Sequence, residues 1–487
     1  MSTICAISTP SGIGGIAVVR ISGPDAISAC SKVFVPHRKE HALEQRATHT
    51  LTFGQIVNPA THEVIDEVVV MLYRAPHSFT GEDVVEISCH GSQYIQQELL
   101  HLLTGQCGLR MAERGEFTRR AFANGRMDLS QAEAVADLIA AQNAAAHRLA
   151  LGQMKGSVSR TLDLLRDQLL HLSTLLELEL DFSEEDVSFA DRTELLELAR
   201  RTRNEVSRLA DTFRTGQALR GGIPVAIIGE TNAGKSTLLN HLLGDDRAIV
   251  SDVHGTTRDV VEDTILVEGQ LVRFIDTAGI RETSDTVEHL GIERTYQRIQ
   301  HSHVVLWVID GRRLDDAERV EACARDAVEV YRHIYPYLNE QKVIVVVNKV
   351  DLVNTARLQH HLPTFQGALS QAIQHEGLSA PTLHYIAISA KHGQGLDQLH
   401  QALVNATRLP QLAQGDVIVT NQRHYDALVE ARTALTHVID GLDCQLTADL
   451  VAEDLRQAID ALNSILGQGI TSQDTLNNIF HNFCIGK

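Results

Sequence analysis

The segment 229–236, with the sequence GETNAGKS, contains residue types that bind nucleotide phosphates. It follows an apolar run at 223–228 and precedes a helix-like segment at 236–243, so the pattern predicts a strand, a glycine loop and a helix. Such a loop turns several backbone N–H groups towards one anion. We expect Lys235 to reach the outer phosphates and the Ser236 hydroxyl to bind Mg²⁺. The alternative is a glycine-rich turn that only begins a helix.

Two further motifs supply groups that can sense the terminal phosphate. The motif GTTRD, at 255–259, offers a threonine that is expected to close onto Mg²⁺ and the γ-phosphate. The motif DTAG follows an apolar run at 271–275, which places the Asp276 carboxylate near the metal and the Gly279 amide near the γ-phosphate. The whole motif is predicted to contact GTP: Asp276, Thr277, Ala278 and Gly279.

The next two motifs indicate that the base is guanine. An NKVD motif after the apolar run 343–347 contributes Asn348, Lys349 and Asp351. A fixed carboxylate at position 351 accepts hydrogen bonds from N1–H and the 2-amino group of guanine, and adenine has neither donor. The last guanine-nucleotide motif is represented by Ser389, Ala390 and Lys391. Either motif alone is also compatible with a surface turn, but five motifs in order predict a GTP site.

Residues 220–410 therefore resemble a G domain of the P-loop GTPase superfamily, which is an α/β fold with the nucleotide at the carboxyl ends of the strands. One position departs from many small GTPases, because Ile280 stands where they carry a glutamine that orients the attacking water. The remaining candidates for this task are Glu288, Glu282, Arg258, Arg281 and a bound cation. Glu288 is the candidate that could position the water, and its alternative is a solvated glutamate at a helix start.

The composition narrows the classes of protein. Lys and Arg total 43 against 62 Asp and Glu, a net charge of −19, so any contact with RNA has to be local or shared with a partner. The acidity can also serve solubility alone. The seven cysteines include no CxxC pair, which is typical of a reduced cytoplasmic protein without structural zinc. We expect a cytoplasmic location without a membrane contact, because the sequence has no signal peptide and no long apolar span.

Changes in sequence character predict the domain boundaries. Residues 1–118 mix short β-rich runs with one amphipathic stretch and are predicted to form an α+β domain. Residues 119–219 and 411–487 are predicted to be helical, since apolar residues recur on one helix face. These residues are Leu165, Leu169, Leu172 and Leu176 in the first part and Leu455, Ile459, Leu462 and Leu466 in the second. Neither part closes a core alone, so we expect them to pack together, with the G domain at 220–410 inserted between them.

The whole chain resembles the tRNA modification GTPases of the MnmE family, also called TrmE. The G-domain motifs carry this resemblance together with the segment SDTVE that contains Glu288. Further matching segments are RISG at 20–23, SFTGED at 78–83, GEFTRRAF at 115–122 and FCIGK at 483–487.

The resemblance implies a homodimer formed by the N-terminal domains and a GTPase that K⁺ activates. The implied K⁺ ligands are Asn232, Ser251, Val253 and Thr256, and the implied Mg²⁺ ligands are Ser236 and Thr257. Ser251, Thr256 and Thr257 are also implied GTP contacts, as are the phosphate-loop residues Asn232, Ala233, Gly234, Lys235, Ser236 and Thr237. The alternative for Asn232 is that it only closes the turn of the loop.

The N-terminal domain is implied to resemble folate-binding one-carbon enzymes. Arg20, Glu86 and Arg126 would contact a tetrahydrofolate derivative, in the 5,10-methylene or 5-formyl form, with Lys487 nearby. Many members of the family carry lysine at position 126, whereas arginine presents a fork of donors. Cys484 is either a catalytic thiol of the modification chemistry or a small buried residue that anchors the tail.

The resemblance implies one function. The chain would act on tRNA as a GTPase with a flavoprotein partner of the MnmG (GidA) type in a heterotetramer, with FAD only on the partner. Together they would add a carboxymethylaminomethyl or aminomethyl group to C5 of the wobble uridine (position 34) of certain tRNAs. Two alternatives are a regulatory GTPase that times ribosome assembly and a scaffold with a vestigial site. The N-terminal domain and FCIGK tail argue against the timer, and the intact phosphate loop argues against the scaffold.

Overall fold

The structure is a computed structural model that describes residues 2–38, 42–181, 192–245, 263–275, 299–338, 341–379, 382–407 and 417–469, with residues 476, 479, 480, 483 and 486. Its contacts divide the chain into two compact units. The first unit comprises Met1–Ala140, Ala150–Ala210 and Arg423–Lys487, and the second comprises Ala141–Leu149 and Asp211–Gln422.

The described strands and helices are numbered in chain order. The strands are β1 Ile4–Ile7, β2 Gly14–Ser22, β3 Phe34–Pro36, β4 Thr50–Val57, β5 Val64–Tyr73, β6 Val84–Gly91, β7 Arg110–Met111, β8 Ile223–Gly229, β9 Asp263–Val267, β10 Gln270–Ile275, β11 Val304–Asp310, β12 Lys342–Asn348 and β13 His384–Ala387. The helices are α1 Ala26–Val33, α2 Gln93–His101, α3 Glu116–Ala123, α4 Leu129–Ala140, α5 Ala144–Met154, α6 Ser157–Asp181, α7 Arg192–Asp211, α8 Phe213–Gly221, α9 Lys235–Asp245, α10 Ala317–Ile334, α11 Thr355–His375, α12 Leu396–Ala406, α13 Gln422–Asp443 and α14 Ala448–Leu466.

The first unit contains a seven-stranded sheet in the order β3-β4-β5-β6-β2-β1-β7. Its neighbouring strands are antiparallel except for β1 and β7, which run parallel. Alternate residues along a strand point to the same face, and Val19 and Ile21 of β2 are fully buried in one core with Val85 and Ile87 of β6. Helices α1 and α2 pack on the sheet. The predicted β-rich runs are confirmed as parts of β2, β5 and β6.

Helices form the rest of the first unit, where α6 packs against α14. The stripe predicted on α6 is buried, since Leu165 is 4% exposed and Leu169, Leu172 and Leu176 are 0% exposed. The stripe on α14 is buried as well: Leu455, Ile459, Leu462 and Leu466 are at most 8% exposed. The expectation that the two helical parts pack together is therefore confirmed.

A buried ionic cluster joins α4 to the start of α13. Glu133 accepts hydrogen bonds from the Arg423 side chain at 2.9 and 3.0 Å, and its Oε2 lies 2.7 Å from His424 Nε2. Burial alone would raise the pKa of Glu133, but the bonds and charges of His424 and Arg423 outweigh it and lower the pKa to about 2. The carboxylate is therefore held ionised inside the helical core.

The second unit contains a six-stranded sheet in the order β13-β12-β11-β8-β10-β9. All neighbours are parallel except the edge strand β9, which is antiparallel to β10. Strand β8 is buried on both faces, as is usual in parallel sheets. Val225 and Ile227 pack with residues of α9 and α12, whereas Ala226 and Ile228 pack with residues of α10 and α11. The predicted α/β fold with helices on both faces is confirmed.

The two ends of the long segment of the second unit lie against each other. The backbone N–H of Val419 donates to Thr212 Oγ1 at 3.0 Å. A Cβ atom at Gly216 in α8 would lie 2.0 Å from the Val419 carbonyl oxygen, so only glycine allows this approach. This long segment runs from 211 to 422 and is wider than the expected insertion at 220–410. The three predicted domain boundaries, at 118/119, 219/220 and 410/411, stay predictions. No helix in the described ranges is long and apolar enough to cross a membrane.

Candidate functional site

The phosphate loop connects β8 to the start of α9, as the sequence predicts. Gly229 has φ = 144°, and a Cβ atom there would lie 2.2 Å from the Val308 carbonyl oxygen. Gly234 has φ = 97°, and a Cβ atom there would lie 2.2 Å from Asn348 Nδ2. Both positions therefore require glycine, because the backbone is left-handed and the neighbouring strands are too close for a side chain.

The loop holds Lys235 at the start of α9. Its ammonium group donates to the carbonyl oxygens of Gly229 and Glu230, both at 2.8 Å. Ser236 and Thr237 follow in the first turn of the same helix, where the backbone N–H groups favour an anion. The predicted phosphate contacts Asn232, Ala233, Gly234, Lys235, Ser236 and Thr237 thus lie in one loop and helix start.

Asn348 ties the guanine motif to the phosphate loop. This side chain is almost fully buried, at 2% exposed. Its Nδ2 donates to the Ala233 carbonyl oxygen at 2.9 Å, and its Oδ1 accepts from the backbone N–H of Ala390 at 2.9 Å. One amide therefore joins three of the predicted motifs, which are separate in the sequence.

Lys349 makes a second connection beside it. Its backbone is left-handed, with φ = 66°, and its ammonium group donates to the Asn232 carbonyl oxygen. The same ammonium lies 2.8 Å from Asp310 Oδ2. Lys349 thus connects the end of β12 to the residue that is the predicted K⁺ ligand of the loop.

Asp310 is a residue that the sequence analysis missed. It ends β11 and lies in register with Asn348 at the end of β12. Burial alone would raise the pKa of Asp310, but hydrogen bonds from Arg312 and Lys349 outweigh this effect and lower the pKa. The sequence alone did not reveal this role, because an acidic residue at a strand end lies beside the NKVD motif only when its strand is the neighbour in the sheet.

Arg313 is a second missed residue at the same edge of the sheet. Its guanidinium donates to Glu230 of the phosphate loop at 2.6 Å and also to Asp326 of α10. Arg313 belongs to no recognisable motif, and Glu230 is one of several polar residues in the phosphate loop. The sequence therefore does not predict that these two residues pair.

The guanine-reading carboxylate predicted from sequence is positioned by the last motif. The Ser389 hydroxyl donates to Asp351 Oδ1 at 2.6 Å. This hydrogen bond is the main reason that the pKa of Asp351 is lowered, and His392, whose Nε2 lies 3.7 Å from Asp351 Oδ2, adds to the effect. The carboxylate is therefore kept ionised, as an acceptor for two donors of a base must be.

Several predicted site residues lie outside the described residues. They are Ser251, Val253, Thr256 and Thr257 of the first switch segment, Asp276, Thr277, Ala278 and Gly279 of DTAG, the water-positioning candidate Glu288 and its alternatives Arg258, Arg281 and Glu282, and Cys484 and Lys487 of the tail. Their roles stay predictions.

A second cluster, here called the N-terminal pocket, comprises Arg20, Glu86, Phe79, Phe117 and Gly486. Arg20 and Glu86 face each other across β2 and β6 and form an ion pair, with Nε and Nη2 at 2.8 and 2.7 Å from Oε1. The Arg20 guanidinium lies over the rings of Phe79 and Phe117, with Cζ at 5.5 and 5.6 Å from their centroids. Such placement is a cation–π geometry.

The carboxyl-terminal tail returns to this pocket. Arg20 Nη1 donates to the Gly486 carbonyl oxygen at 3.4 Å, and the Ser8 hydroxyl donates to the same oxygen at 3.1 Å. Phe480 and Phe483 pack with Leu129 in a buried cluster of the first unit. The residue before Lys487 thus lies beside Arg20, as the implied position of Lys487 near the folate contacts requires. Arg126 lies beside Gly81, at whose position a Cβ atom would be 3.2 Å from Arg126 Cγ.

A buried charge network supports the segment that carries Phe79 and Phe117. Arg120 is 4% exposed and donates to Glu82 at 3.1 Å and to Glu116 at 2.9 Å. Burial would raise the pKa of Glu116, but hydrogen bonds from Arg110, the backbone of Glu113 and Arg120 lower it to about 2. The motifs SFTGED and GEFTRRAF thus meet in one network, a structural role that their spacing did not reveal.

Comparisons with known proteins give the family of the chain. A family model described as GTP-binding protein TrmE N-terminus matches residues 3–126, and one described as MnmE helical domain matches residues 129–484. The chain is 52% identical to the tRNA modification GTPase MnmE of Parabacteroides distasonis over 490 residues, covering 100% of both chains. It is 50% identical to that of Bacteroides thetaiotaomicron, covering 100% of this chain and 99% of the relative.

A solved structure, a GTP-binding protein from Sulfolobus solfataricus in complex with GDP, is 17% identical and has a TM-score of 0.27. It covers 50% of this chain and 66% of its own. A likeness at this level carries no argument about function.

Proposed function

The chain belongs to the MnmE family of tRNA modification GTPases, and we propose that it couples GTP hydrolysis to modification of the wobble uridine (position 34) of certain tRNAs. The observation that carries the GTPase part of this proposal is the bond network in which Asn348 and Lys349 donate to consecutive carbonyl oxygens of the phosphate loop, and family membership supports the tRNA part. These hydrogen bonds hold the phosphate loop at a fixed position relative to the guanine motif. The two parts can therefore bind the phosphates and the base of the same GTP molecule, as GTP hydrolysis requires.

The residues of the phosphate loop fit Mg²⁺ and K⁺. Ser236 would hold Mg²⁺ together with Thr257, and Asn232 would hold K⁺ together with Ser251, Val253 and Thr256. The left-handed backbone of Asn232 is held by the hydrogen bond from Lys349 to its carbonyl oxygen. The direction in which the Asn232 side chain leaves the backbone is therefore fixed. Bound cations would stabilise the charge that develops on the phosphates during hydrolysis. Glu288 would position the attacking water.

The N-terminal pocket has the donor set that a folate needs. Its polar edge is the Arg20–Glu86 pair, whose side chains are 16% and 17% exposed. The partly exposed Phe79 ring offers apolar surface beside this pair, and the fully buried Phe117 ring supports the Arg20 guanidinium. A flat heterocycle with donors and acceptors along one edge suits such a pocket. Arg20 and Glu86 would hold a tetrahydrofolate derivative, with Arg126 and Lys487 as further contacts. The folate would supply the one-carbon unit.

The proposals for the oligomeric state, the protein partner and the modification chemistry rest on the resemblance to the MnmE family. We propose a homodimer that works with a flavoprotein of the MnmG type, which alone would carry FAD, and that adds a carboxymethylaminomethyl or aminomethyl group to C5 of the uridine. The amine would come from glycine or ammonium. Cys484 would act in this chemistry or anchor the tail. The protein would work in the cytoplasm, where its tRNA substrates are found.

The test is mass spectrometry of tRNA nucleosides from cells that lack this chain. We expect the modified wobble uridines to disappear, and we expect the wild-type chain, but neither Asp351→Asn nor Arg20→Ala, to restore them fully. Normal wobble uridines in the deficient cells, together with accumulated ribosome-assembly intermediates, would refute the modification function and favour the assembly timer.

A further inference from the structure

A groove opens between α7 and α13 in the helical part of the first unit, and its lining includes none of the residues of the two clusters described above. Its volume is about 450 Å³. We call it the basic groove, and its lining residues are Arg203, Asn204 and Ser207 of α7 and Arg432, Thr433, Thr436 and His437 of α13.

The lining of the basic groove has an unusual composition for this chain. None of its seven residues is acidic or aliphatic, although the chain carries a net charge of −19. Every lining side chain offers a hydrogen-bond donor, and two of them are permanently cationic. The seven lining residues therefore differ in charge from the chain as a whole, whose average field repels polyanions. An acidic residue that lies next to them is Asp454 of α14, whose Oδ1 lies 3.8 Å from His437 Nδ1.

The arginines of α7 differ in what they contact. Arg200 lies 3.0 Å from Asp443 and Arg208 lies 3.0 Å from Glu205. Arg203 instead donates to the amide oxygen of Asn204 at 3.0 Å. An amide does not neutralise a guanidinium, so the positive charge of Arg203 remains directed at the groove.

Rigid helices hold the groove open. On α7, Val206 and Leu209 are buried at 0% and 2% exposed, and on α13, Leu435 and Val438 are both 0% exposed. These apolar residues fix the opposite faces of the two helices in the core, so the polar residues between them are presented on a preformed surface. Binding to such a surface costs little ordering entropy.

We propose that the basic groove binds the sugar–phosphate backbone of tRNA. Arginine, serine, threonine and asparagine side chains are the groups that contact phosphate oxygens in nucleic-acid complexes, and the groove combines all four types. These contacts position an RNA without reading its sequence. The inference deepens the proposed function, since it takes tRNA as the partner and assigns a surface to it.

The test measures tRNA binding by the full-length protein over a series of NaCl concentrations at fixed KCl. We expect Arg203→Glu with Arg432→Glu to weaken binding by about tenfold or more. The slope of log affinity against log salt should fall by about 1 to 2, because two phosphate contacts are lost. The matched control is Arg160→Glu with Arg456→Glu, which makes the same charge change on exposed residues of α6 and α14 in the same unit. This control should stay within about twofold of wild type.

Several outcomes separate the possibilities. Equal losses in both charge-reversed pairs, or wild-type binding by the groove pair, would overturn the assignment. If the groove pair unfolds in a thermal melt, Arg203→Gln with Arg432→Gln decides the question through the same fall in salt slope. Loss of activity with the flavoprotein but normal tRNA binding would overturn it too, and would make the groove a protein interface. A wild-type chain that binds no tRNA would also overturn the groove assignment, but it would not refute the proposed function, because the flavoprotein partner could then hold the tRNA.

Discussion

In the nucleotide site each functional group comes from a short motif at the carboxyl end of a strand or at a helix start, whereas the N-terminal pocket collects single residues from separate elements. Asn348 ends β12 and Lys235 begins α9. Arg20 and Glu86 instead come from two strands, Phe117 comes from a helix, and Gly486 comes from the chain terminus. The nucleotide site should therefore tolerate substitutions outside its motifs, whereas the N-terminal pocket should depend on the folding of the whole first unit.

The sharpest test of the nucleotide site is a change of base preference. Asp351→Asn should weaken GTP binding by at least about a hundredfold, because the carboxylate that accepts from guanine is lost. It should also improve binding of xanthosine triphosphate, whose C2 oxygen accepts from the new amide. Both affinities are measured by calorimetry. Unchanged preference for GTP would remove Asp351 from base recognition, and the thermal stability of the first unit should not change in this variant.

The N-terminal pocket should instead be sensitive to residues that never touch a ligand. Glu116→Gln should lower the free energy of unfolding of the first unit by about 3 kcal/mol, because it leaves buried Arg120 with an incomplete set of charge partners. Urea denaturation measures this loss. The control is Glu113→Gln, since Glu113 is 64% exposed and pairs with Arg119 at the surface, where an ion pair contributes at most about 1 kcal/mol. Equal losses would contradict a special role of the buried network.

Lowering the pH should test the buried carboxylates Glu116 and Glu133, which belong to two separate ionic clusters, without a mutation. The pKa of Glu116 and that of Glu133 are both lowered from 4.5 to about 2, so the unfolded chain binds more protons between these values. The stability that these carboxylates contribute is fully present above about pH 4.5 and is lost as the pH falls towards 2. Urea midpoints between pH 5 and pH 3 should therefore fall less in Glu116→Gln than in wild type. An identical fall would show that Glu116 does not contribute.

Ligand binding in the N-terminal pocket should depend on Arg20, which is a proposed folate contact, and not on Arg119, which pairs with Glu113 at the surface. Arg20→Ala should weaken binding of a reduced folate by about tenfold to a hundredfold, because charge-assisted hydrogen bonds are removed. Arg119→Ala provides a control from the same domain. Calorimetry gives both affinities, and the GTP hydrolysis rate should match wild type in each variant. Folate affinity that survives both Arg20→Ala and Glu86→Ala would mean that the pocket lies elsewhere.

The smallest effect is expected from the missed residue of the nucleotide site. Asp310→Asn keeps a hydrogen-bond acceptor but loses the charge that fixes Lys349, so GTP affinity should fall by about threefold to tenfold. The K⁺ concentration needed for half-maximal hydrolysis should rise, because Lys349 also holds the Asn232 carbonyl. Arg312→Ala is the control, since Arg312 contacts Asp310 but has no bond to the loop among the described contacts. Equal effects of both changes would assign Asp310 to local packing.

The difference between the two sites also explains what could be predicted from the sequence. The phosphate loop and the guanine motif are each a short contiguous segment, and the spacing within each follows from local backbone geometry. The sequence alone therefore identifies their residues. Asp310 was missed because its role depends on strand order, which brings β11 between β8 and β12. A single acidic residue at a strand end carries no signal until its neighbour is known.

The N-terminal pocket could be anticipated only through resemblance to a family. The pairing of Arg20 with Glu86 requires the register of two strands, and the position of Gly486 requires the path of the whole chain. The stripes on α6 and α14 could be predicted from periodicity, because burial repeats with the helix turn. The ionic network around Glu116 could not, since polar residues in a helix usually face solvent.

The contact between Thr212 and Val419 has a consequence for how such a chain can be assembled and engineered. The ends of the segment 211–422 are joined by a hydrogen bond of 3.0 Å, so this segment leaves and rejoins the rest of the chain at nearly one point. An insert with adjacent ends can be accepted at a single loop of a host without stretching the host backbone. The segment should therefore be separable as a gene fragment, replaceable by a short linker between α7 and α13, and portable into another helical scaffold.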